Sequence, residues 1–219
     1  MFQQLTKTLA VASLILISSN SLAFSNDPVS SYIHNGQPVG AWKLSIGNAM
    51  NYYIPMKEME AKTERGNLEI TPTKKQSDND AINIKWRGKK VKNEWGGNTL
   101  GDSFVAIGKN KIDLEPVKDL AALVLDLRVL RSPNENVTLT MQCKYSNKCK
   151  GTYHLKSILK KLPKKEWTYL PIPLNCIGQG DFDFSAITNF SIATQGKLEI
   201  EVANIGLTGL QEGDKGCAK

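Results

Sequence analysis

The sequence predicts an all-β protein folded as a jelly-roll β-sandwich. Over several stretches apolar residues recur at every second position, which is the period of a strand with one buried face. Turn-forming residues separate these stretches at short intervals, and only one short stretch has the spacing of a helix. Many short strands, close turns and little helix are typical of sandwiches and jelly rolls.

The strand pattern is clearest where Ile82, Ile84 and Trp86 alternate with polar residues. Two further stretches, 123–129 and 137–142, also carry an apolar residue at every second position. Additional strands are predicted over 42–46, 68–71, 103–107, 167–172, 187–194 and 198–205. Residues 155–162 place apolar residues on one side of a helix of one or two turns, which ends at Pro163.

The N-terminus has the features of a secretory signal peptide. Lys7 precedes an apolar run from Leu9 to Ile17, and the small residues Ser21 and Ala23 occupy the positions that a signal peptidase inspects. A retained membrane anchor is the alternative, but no later stretch approaches the roughly 20 apolar residues of a spanning helix. We therefore expect a periplasmic or extracellular protein with no transmembrane segment in the mature chain. The predicted divisions are a signal peptide (1–23), a lead-in (24–40), the sandwich (41–210) and a C-terminal tail with a cysteine (211–219).

Four cysteines, an even number in a chain expected to be exported, predict two disulfides. Three pairings are possible. We favour Cys143 with Cys149, because the intervening residues form a polar turn able to join two strand ends, and this leaves Cys176 for Cys217. A zinc site is disfavoured because it requires two close pairs of ligands.

The formal net charge of +7 suits contact with anionic surfaces or polymers. The lysines are scattered among acidic residues and form no dense stripe, so we expect no nucleic-acid partner. We also predict no cofactor. A structural calcium ion, held by oxygen atoms of residues 78–80 or of Gly180 and Asp181, is an alternative.

Motifs for catalysis are missing from the sequence: there is no nucleophile elbow, no metalloprotease histidine pair and no phosphate-binding loop. We therefore predict that the protein is not an enzyme. A small glycosidase that uses two carboxylates, such as Asp181 with Asp183 or Glu199 with Glu201, is the alternative.

Several segments occur in a characteristic order between about Trp42 and Leu207. They are Gly40-Ala41-Trp42-Lys43-Leu44, Ile84-Lys85-Trp86-Arg87-Gly88, 120–129 with Pro133, 137–143, 159–167, Pro171-Ile172-Pro173-Leu174-Asn175-Cys176, and 190–194 with Gly196 and Leu198. This series resembles the ExoP galactose-binding-like domain, the C-terminal module of certain bacterial family-3 β-glucosidases and exo-glucanases. The resemblance implies a galactose-binding-like β-sandwich related to carbohydrate-binding modules, here without the catalytic portion to which it is normally attached.

Sugar binding requires exposed aromatic faces beside fixed polar groups. The aromatic candidates are Tyr52, Tyr53, Trp86, Trp95, Tyr145 and Tyr153, whereas Trp42 and Trp167 suit the core better, as Trp86 also does. Trp95 is the strongest, because it lies in a glycine-rich turn with no strand face for its ring.

Asp126 and Arg128 on one predicted strand, and Thr140 and Gln142 on the next, point away from the apolar faces of their strands. If these strands are neighbours, the four side chains form a polar patch suited to hydroxyl groups. An ordinary solvated face is the alternative. The predicted ligand-binding residues are Trp95, Arg128, Gln142, Asp126 and Tyr53.

We therefore expect an exported, non-catalytic carbohydrate-binding or glycan-associated module. Its predicted ligand is a polysaccharide or oligosaccharide, either a β-glucan or an anionic glycan. The alternative is an accessory module that binds a separately encoded glycosidase or an envelope protein.

Overall fold

The fold is a sandwich of two antiparallel sheets, as the period of the strands predicts. The computed structural model describes residues 29–48, 52–88, 91–92, 98–99, 102–146 and 148–217. The predicted signal peptide lies outside these ranges. Apolar side chains on the facing sides of the two sheets form one continuous core.

The larger sheet has eight strands among the described residues, in the order β14-β11-β16-β7-β6-β5, with β1 also paired to β16 and β2 to β1. Its strands are β1 (Ser31–His34), β2 (Gln37–Pro38), β5 (Ala61–Lys62), β6 (Leu68–Thr73), β7 (Ala81–Arg87), β11 (Ala121–Arg131), β14 (Trp167–Pro173) and β16 (Lys197–Gly209). We call it the eight-stranded sheet.

The second sheet has six strands in the part of the chain that is described, in the order β13-β12-β15-β10-β3-β4. Its strands are β3 (Lys43–Gly47), β4 (Ile54–Pro55), β10 (Ser103–Ile112), β12 (Val137–Cys143), β13 (Lys150–His154) and β15 (Ile187–Thr194). We call it the six-stranded sheet. The remaining elements are a hairpin of β8 (Val91–Lys92) and β9 (Asn98–Thr99), helices α1 (Lys156–Lys161) and α2 (Leu174–Ile177), and 3₁₀ turns at Glu115–Val117 and Phe184–Ala186.

Tryptophan side chains anchor the core. Trp86 and Trp42 are buried, as their places in the strand pattern predict. The indole N–H of Trp86 on β7 donates a hydrogen bond of 2.9 Å to the carbonyl of Ser103 on β10. This bond satisfies a buried donor and ties the two sheets together.

The predicted lead-in contributes two strands to the sandwich. Ser31 on β1 pairs with Gly206 on β16, and Tyr32 and Ile33 are buried. The Tyr32 ring stacks on Phe190 with centroids 5.1 Å apart. Residues 31–38 therefore belong to the folded domain. Their apolar stretch is too short, and too closely flanked by turn residues, for a strand pattern to be recognised in the sequence.

Both predicted disulfides are present. Cys143 pairs with Cys149 across the β12–β13 turn, and Cys176 of α2 pairs with Cys217 in the C-terminal tail. The side chain of Asn175 also accepts a hydrogen bond of 3.0 Å from the Cys217 amide. The tail is thus held against α2. Within the described ranges, no helix is long and apolar enough to cross a membrane.

Candidate functional site

A groove with a volume of about 470 Å³ lies on the outer face of the six-stranded sheet. Strands β3, β10, β15, β12 and β13 supply its floor. Its walls come from Tyr52 and Tyr53, which precede β4, and from Tyr145 in the turn between β12 and β13. The floor can be described as rows of paired residues that cross the strands.

The first row runs Lys150, Gln142, Asn189, Gly108, Lys43, each residue paired in register with the next. We call it the lysine row. At its centre the side-chain amide of Asn189 donates to the side-chain oxygen of Gln142, which fixes both groups. Adjacent strands are about 4.8 Å apart, so the backbones of the two terminal lysines are separated by roughly 19 Å.

The next row on the same face contains only small side chains at its centre: Thr140, Ser191, Ala106 and Ser45. Residues two apart on a strand share a face, so these four lie directly beside the lysine row. Their small volume creates the depth of the groove. Ser45, Ser191 and Thr140 also place hydroxyl groups along the floor.

Exposed tyrosines border this floor. Tyr52 is 78% exposed, Tyr53 60% and Tyr145 67%, and they account for three of the six large apolar side chains that are exposed among the described residues. The ring of Tyr52 meets that of Phe104 edge to face, with centroids 6.1 Å apart. The Tyr145 hydroxyl donates to the carbonyl of Asn110, which holds that side chain against β10. Aromatic exposure is thus concentrated around the groove.

The charge of the groove is positive. Lys43, Lys109 and Lys150 line it, and none of the described lining residues is Asp or Glu. The ammonium of Lys109 lies 5.8 Å from the centroid of the Trp42 ring. Aromatic faces, amides, hydroxyls and ammonium groups together are suited to bind a ligand that has both apolar faces and polar groups.

An ion pair steadies the turn that carries Tyr145. The ammonium of Lys144 lies 2.6 Å from the carboxylate of Asp183, which also accepts hydrogen bonds from the amide and hydroxyl of Ser185 at 2.9 and 2.7 Å. The hydrogen bond from Lys144, followed by that from Ser185, lowers the pKa of Asp183 to about 2.

We expect Asp183 to titrate with a midpoint near pH 2, below its ordinary value of 3.8. Because the pKa is lowered by folding, the contact stabilises fully above about pH 4 and is lost as the pH falls through 2. Carbon-detected NMR titration of the carboxyl group measures the midpoint. Lys144→Gln is expected to raise it toward 3.8, and a wild-type midpoint already near 4 would contradict the role of the ion pair.

Two of the residues predicted to bind ligand, Gln142 and Tyr53, line the groove. Trp95 lies outside the described residues, so its role stays a prediction. Asn189, Phe104 and Lys43 also line the groove, although none of them was among the predicted ligand-binding residues.

The predicted polar patch of Asp126, Arg128, Thr140 and Gln142 does not form. Asp126 and Arg128 lie on β11 of the eight-stranded sheet, whereas Thr140 and Gln142 lie on β12 of the other sheet. The two strands follow each other in the chain, but the connection between them crosses from one sheet to the other. The expectation that they are neighbours is therefore wrong.

Asp126 and Arg128 instead serve contacts within the eight-stranded sheet. The fully buried carboxylate of Asp126 accepts from the Lys75 ammonium at 2.5 Å and from the Asn204 amide at 2.6 Å. Arg128 pairs with Glu201, and its guanidinium lies 5.0 Å from the centroid of the Trp167 ring. Trp167 is half-buried on this outer face rather than in the core.

Asp80, one of the carboxylates named for the alternative calcium site, is hydrogen-bonded to backbone donors. It accepts hydrogen bonds of 2.6, 2.8 and 2.7 Å from the amides of Lys75, Gln76 and Ser77. Burial acts to raise the pKa of Asp80, but these donors outweigh it and lower the pKa. Across the described ranges, no three His, Cys, Asp or Glu side chains are grouped so that they could hold a metal ion.

The protein is thus a sandwich of two antiparallel sheets with a polar, aromatic-bordered groove on one outer face. Residues 41–207 match the galactose-binding domain-like family Exop_C, and the chain belongs to this family. The resemblance stated from the sequence segments is thereby confirmed. Comparison with functionally curated proteins finds no match.

Solved structures share the fold. The extra C-terminal domain of the exo-1,3/1,4-β-glucanase ExoP from a Pseudoalteromonas species is 17% identical, with a TM-score of 0.64 over 87% of this chain and 99% of that domain. Against the larger ExoP structure, the match covers 90% of this chain but only 22% of the glucanase, at 16% identity and a TM-score of 0.63. The family 30 carbohydrate-binding module of the Clostridium thermocellum cellulosomal cellulase Cel9D-Cel44B is 12% identical, with a TM-score of 0.54 over 82% of this chain and 96% of the module.

Proposed function

We propose that this protein is an exported, non-catalytic carbohydrate-binding module that holds a polysaccharide or oligosaccharide in the groove of the six-stranded sheet. The observation that carries the proposal is the concentration of exposed tyrosines around a floor of small and polar side chains. The shared fold with a carbohydrate-binding module supports it.

Each part of the groove would make a different kind of contact with a bound sugar. The rings of Tyr52, Tyr53 and Tyr145 offer apolar faces to the C–H faces of pyranose rings. The amides of Gln142 and Asn189, oriented by the hydrogen bond between them, present donors and acceptors to sugar hydroxyls. The small floor residues let a flat sugar ring approach the sheet closely.

Export is part of the proposal. Two disulfides suit an oxidising compartment such as the periplasm or the extracellular medium. The predicted signal peptide would direct the chain there. The groove would then meet polysaccharides of the cell envelope or of the surroundings.

Calorimetric titration tests the site with soluble mixed-linked β-glucan and polygalacturonate as probes. We expect Tyr52→Ala and Tyr145→Ala each to weaken binding roughly tenfold, because each removes one stacking face. Tyr169→Ala is the matched control, since Tyr169 is 47% exposed on the outer face of the eight-stranded sheet. Binding of neither probe, or an equal loss in the control, would overturn the proposal.

A second candidate is an accessory module for a separately encoded glycosidase or an envelope protein. It is favoured by the ExoP glucanase, of which a similarly folded domain is one part. Titration of the purified protein with glycan distinguishes the two candidate functions. An accessory module without a sugar site binds no glycan in the absence of its protein partner.

A further inference from the structure

We infer that the groove selects anionic polysaccharides, and that its lysines recognise the carboxylate or sulfate groups of the polymer. This inference rests on the proposed function and specifies its ligand class. It is carried by the contrast between the charges of the two outer faces.

On the eight-stranded sheet the cations are largely neutralised. Lys75, Lys85, Arg87 and Arg128 each form an ion pair, those of Lys75 with Asp126 and of Lys85 with Glu199 at 2.5 and 3.0 Å. The carboxylates that these cations need lie on the same face. Most of the positive charge on that side of the sandwich is therefore paired with carboxylates of the protein itself.

In the groove the arrangement is reversed. Lys43, Lys109 and Lys150 form no ion pair with any residue of the described ranges, and no described lining residue carries a carboxylate. Lys43 and Lys150 are exposed, and Lys109 is half-buried. Three unneutralised ammonium groups over one concave surface raise the local concentration of polyanions and favour their binding.

The positions of the lysines fit a linear polymer. Lys43 and Lys150 end the lysine row, with the Gln142–Asn189 amide pair between them. A chain lying along this row meets one lysine at each end, the two backbones being roughly 19 Å apart, and neutral hydrogen-bonding groups at its centre. Sugars that carry acidic groups at intervals match this order.

The test compares polygalacturonate with the same polymer after chemical reduction of its carboxyl groups, and adds a sulfated galactan as a second anionic arm. At low salt we expect wild-type protein to bind an anionic polymer about tenfold more tightly than the reduced one, because three weak ionic contacts act together. The preference should fall as salt is added. The arm that binds more tightly identifies carboxylate or sulfate as the preferred group.

The triple variant K43Q/K109Q/K150Q should lose this preference, so that its affinity for the acidic polymer falls to its affinity for the reduced one. The control K160Q/K161Q/K164Q changes the net charge equally, but on exposed lysines that do not line the groove, and should retain the preference. Circular dichroism verifies that both variants are folded.

Equal affinity for the acidic and the reduced polymer, or an equal loss in both triple variants, would overturn the inference. Failure of the proposed function gives a different result. If sugars do not bind in the groove, Tyr52→Ala and Tyr145→Ala leave all binding unchanged. If only the selectivity is absent, those two variants still weaken binding of the neutral polymer.

Discussion

Replacing Asp126 with alanine is expected to destabilise the fold by roughly 3–5 kcal/mol, the usual cost of removing one partner of a buried ion pair. The Asp126 carboxylate is fully buried and joins Lys75 to Asn204, whose own side-chain oxygen accepts from the Asn35 amide at 3.1 Å. Without it, an ammonium group on a side chain only 16% exposed and a buried amide both lose their acceptor.

Urea unfolding followed by tryptophan fluorescence measures this loss. Lys75→Met combined with Asp126→Ala should recover part of it, because no unpaired charge remains. Lys85→Ala is the matched control: its ion pair with Glu199 is more exposed, so we expect a cost of about 1 kcal/mol or less. A cost for Asp126→Ala no greater than that of the control would contradict the central role of the buried carboxylate.

Removing the Cys176–Cys217 disulfide, as Cys176→Ser with Cys217→Ser, is expected to cost about 4 kcal/mol. The bond closes a segment with a sequence separation of 41, so its loss releases much conformational freedom in the unfolded chain. The Cys143–Cys149 bond has a separation of 6, and its removal should cost about 2 kcal/mol.

Chemical unfolding of the two double variants, under identical non-reducing conditions, gives both values. Mass spectrometry confirms that the remaining disulfide is intact in each variant. A larger loss for the Cys143–Cys149 pair than for the Cys176–Cys217 pair would show that loop length does not govern the ranking.

The strands with the strongest alternation could be predicted closely. Strand β15 has the predicted bounds, and β7, β11 and β12 contain the predicted stretches. A strand with one buried face carries an apolar residue at every second position, so a long strand can be recognised from its sequence. Strands β1, β2 and β13 were not predicted, because they are short or lack a clear apolar period. Their conformation is decided by their pairing with neighbouring strands.

The site was harder to predict than the fold, because the order of strands in a sheet depends on contacts between distant parts of the chain and cannot be inferred from local sequence patterns. Gln142 and Tyr53 were found from polarity and aromatic character alone. Asn189 was missed because β12 pairs with β15, far along the chain, rather than with its predecessor β11. The same crossing between sheets separated Asp126 and Arg128 from the groove.

The pairing of β1 with β16 has a practical consequence for immobilisation. The first and last strands of the described domain lie side by side in the sheet that does not carry the groove. A bead, surface or fusion partner joined ahead of Ser31 therefore connects to the sheet opposite the tyrosines. Polymer chains can then reach the lysine row while the protein is anchored.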